Sequence, residues 1–597
     1  LSMKHPARSL AERLLPARVR EERERQREAA RAEAAERKRA ERIAARRAAM
    51  LRADGEVREF TVGGAVRFGR RVRRFTAADA SAHNLGLVAD ALAEAGVDHF
   101  LVPGRSRTRH VVGMRRSDRK VFLDAMRKLH GSRPLYVTKP SRDPQPSDTA
   151  LYADGALPAA LKRQSVLRFG EMLLGPRDQV LADLSHGCDV EFWDEGERLA
   201  EDSRGADRVA ALRTQPPPAM LTGALVAPRG NAVSDILPAD ARTPAVREIA
   251  GREHPTFAGF LQPRVETVGF PLDIVYTWVD GADPELSAKR AAYRDGGAGG
   301  DGGGEAVGAG GKEPPRIHAR ETGASRYTSR DELKYSLRSL EMYAPFVRSV
   351  YIVTDGQVPS WLNTAAPGIR VVDHKEIFTD PTGLPVFNSH AIGTQLHHIP
   401  GLSDRYLYFN DDVFLGRPVG PEAFFHGNGM AKLPFSPAQL GLGAPHPDEP
   451  APNSAGKNVR RLMLEAHGRF TVNKFMHTPH PQIRAVMEEI EERFAEDVER
   501  TSRSRFRSVT DIAMGASLHH HHAYLTGRAV PGSYKLRYVD VARPDAEERL
   551  AELLSTRCFD FFCLNDVDTP AGEQERIAAR LHAFLEEYFP FPSRFER

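Results

Sequence analysis

The chain has 597 residues, 41% of them hydrophobic and 27% charged, with a formal net charge of only +4 at pH 7. That length supports several domains with cores of their own, and so mild a charge makes no electrostatic case for nucleic acid as a partner. No run reaches the roughly 18 apolar residues of a bilayer span, and the first residues lack the apolar core of a secretory signal, so a cytoplasmic protein is expected. The three cysteines, Cys188, Cys558 and Cys563, are widely spaced and lack Cys-x-x-Cys pairs, which argues against a disulfide framework and a thiolate metal cage.

The first predicted element, within residues 1–55, is a long solvated helix: EERERQREAARAEAAERKRAERIAARRAAM interleaves charges and has almost no large apolar residue. Its excess of Arg and Lys, beside Leu10, Leu14 and Leu15, gives a second reading in which it docks on an anionic membrane face. Residues 56–212 read as a small accessory α/β domain, with strands at HFLVPG (99–104), RHVVGM (109–114) and PLYVTKP (134–140). Ser117 is the predicted N-cap of a helix that presents Val121, Phe122, Ala125, Met126 and Leu129 on one face. Residues 213–269 are Pro-rich and read as a linker.

A second organised domain is expected over 270–597, interrupted by DGGAGGDGGGEAVGAGG (295–311), which reads as a mobile lid or tether. The domain opens on PLDIVYTWVDGADP (271–284), an apolar strand with Asp273 before it and Asp280 after it. Next, Ser329 and Glu332 have capping-box spacing, and Leu333, Leu337 and Leu340 mark a helix stopped by Pro345. A strand follows that ends in Thr354, Asp355 and Gly356, and RYLYFNDD (405–412) ends in Asn410, Asp411 and Asp412. Open α/β sheets bind ligands at the carboxyl ends of their strands, so these polar groups are expected on one rim. Asp273, at the other end of its strand, does not fit that rule.

Hard divalent cations take one or two carboxylates together with substrate phosphates. Asp411 and Asp412, joined by Asn565 and Asp566 from FDFFCLNDVD (559–568), are therefore the candidate ligands for Mg²⁺ or Mn²⁺. His477 and His480 precede a helix predicted near Pro481, where a histidine suits a general base or a phosphate contact. Arg500, Arg503, Arg505 and Arg507 run ahead of Asp511, and with the acids they suit a diphosphate substrate. LHHHHAYL (518–525) reads as a native segment, and consecutive histidines on a helix cannot all face one ion.

The region from about 270 to the end resembles the Stealth family, bacterial capsule sugar-phosphate transferases related to the catalytic subunit of lysosomal-enzyme N-acetylglucosamine-1-phosphotransferase. Four blocks carry the resemblance: DIVYTWVDGADP (273–284), residues 330–416, residues 477–512, and FFCLND (561–566). The resemblance implies a Rossmann-like, GT-A-like α/β domain that binds a nucleotide sugar. It also implies essential roles for Asp273, His477, Arg507 and the Asp411-Asp412 pair, and it demotes His480 and Asp280 as positions that vary. Tyr276, Thr277, Trp278, Asp355, Lys334 and Arg338 are expected around the nucleotide sugar. The implied reaction moves sugar-1-phosphate, N-acetylglucosamine-1-phosphate foremost, from a UDP-sugar to a glycan hydroxyl in capsule or cell-surface polysaccharide synthesis, with release of UMP. The alternative is a metal-dependent glycosyltransferase releasing UDP. Expected partners are the donor and the glycan acceptor, with association at the inner face of the plasma membrane or with a capsule machinery, and homodimerisation, left open.

Overall fold

The computed structural model describes residues 16–141, 148–155, 157–201, 203–295, 327, 329–566, 569 and 571–597. Both the Gly-rich segment after Asp295 and Leu10, Leu14 and Leu15 lie outside the described residues. Among the described residues no helix is long and apolar enough to cross a membrane. The chain divides into two compact units, residues 1–72 with 80–261 and residues 73–79 with 262–597.

The first unit carries a 37-residue helix, α1 (Ala17–Ala53). Most of α1 faces solvent, as its charge pattern requires, and only its last turns are held. There Met50 enters a core cluster with Val57, Phe68 and Leu151, and Arg47 grips Asp154 through two hydrogen bonds of 2.7 Å. The predicted strands form at His99–Val102, Val111–Arg115 and Leu135–Thr138. The helix after Ser117 starts at Arg119 and buries Phe122, Ala125, Met126 and His130. Val121 and Leu129, expected on the same face, are 52% and 38% exposed, because the buried stripe follows the i, i+3, i+4, i+8 positions from Phe122. Ser117 does not cap this helix, since its hydroxyl turns to the Asp118 carboxylate.

Residues 213–261 are folded, contrary to the linker reading. They carry strands Leu225–Val226, Ile236–Leu237, Pro244–Ile249 and Arg252–Phe257. Ala224, Val226 and Ile236 bury against Leu199, Leu212 and Leu221. The prolines fall in turns, a short 3₁₀ stretch and a two-stranded hairpin, where a missing N–H costs little.

The second unit is built on a five-stranded sheet of β1 (Leu272–Thr277), β2 (Val347–Thr354), β3 (Ile369–Asp373), β4 (Arg405–Asn410) and, on the edge, β6 (His480–Ile483). Their order is β3-β2-β1-β4-β6, with the first four parallel and β6 antiparallel to β4. Strands buried on both faces read as continuous apolar runs, and Ile274, Val275, Ile352, Val353, Leu407 and Phe409 are all buried. The order reverses between β1 and β4, and that reversal opens a crevice at the strands' carboxyl ends.

A second, three-stranded sheet joins distant parts of the sequence. β5 (Val413–Leu415) pairs antiparallel with β8 (Phe561–Asn565), and β8 pairs parallel with β7 (Leu536–Asp540). Helix α2 (Glu332–Tyr343) ties the two sheets together. Its Ser336 hydroxyl meets Tyr276 of β1 at 2.7 Å and donates to the Val413 carbonyl at 2.6 Å, while the Leu415 N–H donates to Ser339. The expected capping box is replaced. Glu332 opens the helix and accepts from the Arg330 N–H at 2.6 Å, and Ser329 sits outside the helix.

Candidate active site

The turn Asn410-Asp411-Asp412 joins β4 of the large sheet to β5 of the small one. Two further segments converge on it. The 480–483 strand pairs with β4 so that His480 faces Tyr408, and His477, three residues earlier, reaches beyond the strand end to Asn410. From the other side β8 places Cys563 opposite Val413, and the Leu564 N–H bonds the Asp412 carbonyl at 3.0 Å.

The side chains form a tight set. His477 Nε2 lies 2.7 Å from the Asn410 amide nitrogen and 3.3 Å from Asp412 Oδ1, while the Cys563 thiol lies 3.4 Å from Asp412 Oδ2. Burial pushes the His477 imidazole towards its neutral form, but the adjacent Asp412 carboxylate overrides it and holds the pKa above the usual value. Asp411 is pushed well above the carboxylate range by burial, then by the negative charges of Asp412 and Glu332. Burial, reinforced by Asp412 and Asp411, likewise keeps the Cys563 thiol protonated.

Buried Asp411 thus feels the charges of two further acids, Asp412, which lies beside His477, and Glu332, which lies beside Arg330. A divalent cation beside Asp411 and Asp412 would offset that charge and let Asp411 ionise. Asp412, His477 and Cys563 each turn a ligand atom within 4.8 Å of the others. Oxygen-seeking Mg²⁺ fits Asp411 and Asp412 best; a neutral thiol is a poor ligand for so hard an ion.

Beside this set a cavity of about 240 Å³ is lined by Asn410, His477, His480, Lys474, Ser389 and Arg507. Arg507 enters from the segment after the 495–502 helix and donates to the Ser389 hydroxyl at 2.6 Å. The cavity therefore offers several donors and a cation to an oxygen-rich ligand.

Other expected site residues are held by partners of their own. Asp273 is fully buried at the amino end of β1, where it accepts two bonds from Arg348, at 2.9 and 2.5 Å, and one from the Ser403 N–H at 2.7 Å. Thr277, level with Asn410, is four residues further along, about 13 Å at strand rise. Asp273 is thus a clasp beneath the sheet, and this is the physical reason it broke the strand-end rule. Tyr276 is fully buried in the core between β1 and α2. Arg338 is only 5% exposed and makes paired bonds to Glu596, with Lys334 3.9 Å from the same carboxylate, so both turn to the chain's last residues.

Asp566 is held by Arg330 at 2.5 Å and by Thr569, and Asn565 ends β8 across from Asp540. Thr277 bonds the Tyr408 hydroxyl, the Trp278 N–H bonds Val353, and Asp355 pairs with Lys289 at 3.1 Å, all along the carboxyl rim. Sequence reasoning missed Cys563 as a member of the cluster and placed Asn410 there only as one of the strand-end polar groups. The i, i+2 spacing of Cys563 and Asn565 on one strand face was the available signal.

Models of Stealth protein conserved regions 1, 2, 3 and 4 match residues 270–298, 326–433, 476–524 and 551–597. The exopolysaccharide phosphotransferase SCO6023 of Streptomyces coelicolor is 42% identical over 525 residues, covering 86% of this chain and 82% of the relative. SCO2594, of the same name and organism, is 41% identical over 92% of this chain and 89% of its own. The exopolysaccharide phosphotransferase CpsY of Mycobacterium tuberculosis is 38% identical over 61% of this chain and 65% of its own.

Proposed function

The chain belongs to the Stealth family of exopolysaccharide phosphotransferases, and from that premise we propose that it moves sugar-1-phosphate from a UDP-sugar to a glycan hydroxyl and releases UMP. The observation that carries this reading is the contact of His477 with Asn410 and Asp412 at the mouth of a donor-lined cavity, on the rim where a parallel sheet reverses its order. We read that sheet as a Rossmann-like nucleotide-sugar platform, and N-acetylglucosamine as the sugar.

In the proposed reaction the acceptor hydroxyl oxygen attacks the phosphorus that bears the sugar. Its bond to the bridging oxygen breaks, UMP departs with the electron pair, and the hydroxyl proton passes to neutral His477 at Nε2, which exchanges its contact with the Asn410 amide for the acceptor hydroxyl. Asp412, 3.3 Å away, favours the imidazolium that forms. Arg507 lies against the phosphoryl oxygens and offsets their charge. Asp411 and Asp412 would hold Mg²⁺ or Mn²⁺, which supplies neutralisation of the diphosphate.

The test is to incubate the full chain with Mg²⁺, several UDP-sugars and capsule-type oligosaccharides, and to weigh the released nucleotide. UMP is expected, with turnover falling about 10²- to 10⁴-fold in His477→Ala. Release of UDP would instead mean attack at the anomeric carbon, and the reading as a phosphotransfer would fall.

A further inference from the structure

The histidine run forms a hydrogen-bonded series that ends in the cavity. Helix α3 (His519–Leu525) buries His519, His520, His521 and His522. At one end of the series the backbone N–H of Ile483 donates to His519 Nε2 at 2.9 Å. A backbone amide can only donate, so His519 Nε2 carries no proton and the neutral ring is protonated on Nδ1. That Nδ1–H faces His520 Nδ1 at 3.1 Å, which must accept, so His520 is protonated on Nε2. His520 Nε2 in turn faces His480 Nδ1 at 2.9 Å. His480 Nδ1 therefore accepts, and the remaining proton of His480 sits on Nε2, for which no partner is found among the described residues.

Each ring is deeply buried, and burial holds all three in the neutral form that this series requires. The His480 ring meets His520 edge to edge and nearly coplanar, at 26°, and lies beside Tyr408. Its edge lines the same cavity as His477, Lys474, Asn410 and Arg507.

We infer that His480 is a substrate-binding residue whose Nε2–H, locked in one tautomer by the Ile483–His519–His520 series, donates a hydrogen bond to a phosphoryl or sugar oxygen of the donor. This deepens the phosphotransfer reading and rests on it. The two histidines of HTPH divide the work: His477 faces a carboxylate and exchanges a proton, whereas His480 has its acceptor nitrogen occupied and only donates. Such a donor selects for an oxygen acceptor in the ligand, because an analogue lacking it leaves the buried N–H unpaired.

The test has a structural and a kinetic arm. In the full chain with ¹⁵N-labelled histidine, the signal absent from His480→Phe should report a ring protonated on Nε2 and unchanged between about pH 8 and pH 6. A proton on Nδ1, or titration within that range, overturns the inference. This arm needs no substrate, so it decides the tautomer even if no UDP-sugar is turned over, an outcome that would sink the functional reading alone.

In the kinetic arm, UMP release from UDP-N-acetylglucosamine should fall about 10- to 100-fold in His480→Phe. His480→Gln, which keeps an N–H near Nε2, should recover most of that loss. Equal rates in the two variants, high or low, overturn the donor role, and thermal melting shows whether either has lost its fold. An effect on the KM of the UDP-sugar without a change in UMP inhibition assigns the contact to the transferred sugar phosphate. An equal effect on both assigns it to the phosphate that leaves with UMP.

Discussion

Asp273 shows how a residue can look catalytic in sequence and act as a clasp in space. It is an acid beside an apolar strand, in a block that resembles a family's first motif, yet it is buried with Arg348 across its carboxylate and the Ser403 N–H on one oxygen. Removing the arginine, itself 44% exposed, would leave a buried carboxylate with the Ser403 N–H, a change that costs about 1–3 kcal/mol. Arg348→Ala should therefore lower the stability of the second unit by that order in chemical denaturation, while UMP release at low temperature stays near that of the parent. A large loss of turnover with unchanged stability would return Asp273 to the reacting atoms. A strand's sequence does not show which end its neighbours approach; that is set by pairing with residues 75 and 130 positions away.

At the level of elements, the apolar strands, the helix over 332–343 and the acidic strand ends were all legible, because continuous apolar runs and leucines at i, i+4, i+7 have few other readings. The rest needed tertiary partners. β8 pairs with β5 at a separation of about 150 residues, so nothing local announces that Cys563 meets Asp412. The run of four histidines reads as a native segment, but nothing local shows that all four rings are buried. Burial carries a pH signature: His519 is held down at about 3 and His521 at about 4, each mainly by desolvation. Groups whose pKa is lower in the folded chain than in the unfolded one stabilise fully only above the unfolded value, near 6.5, and lose that contribution as pH falls towards the folded value. His519 alone should cost about 2 kcal/mol at pH 5 relative to pH 8. Denaturant midpoints should accordingly drop between pH 7 and pH 5, and replacing His519 with Gln should flatten that dependence; a flat profile in the parent would contradict the buried neutral rings.

Across the whole second unit, the stretch that follows Tyr588 closes over helix α2. Arg338 of α2 reaches Glu596 with both arms of its guanidinium, and also Glu586 and the Phe589 carbonyl. Phe414, Phe562 and Phe589 stack in the same region, so strand, late strand and final helix share one apolar seam. Glu596→Ala should destabilise the unit by about 2 kcal/mol through the loss of a charged, buried hydrogen-bond pair, detectable as a lower melting temperature without a change in the nucleotide released. Lys334 and Arg338 were expected at the substrate because cations on an active-site helix suit phosphate. Their partner lies about 260 residues onward, beyond the reach of any local pattern.

The pairing of β5 with β8 also has a meaning in time. A ribosome releases the Asn-Asp-Asp turn long before Phe561–Asn565, and until then β5 lacks its partner and Asp412 lacks the Leu564 amide and the Cys563 thiol. A chain cut short before that strand lacks the Leu564 amide and the Cys563 thiol beside Asp412. The contacts that frame Asp412 are thus completed late in synthesis, by a strand made about 150 residues after the turn it braces.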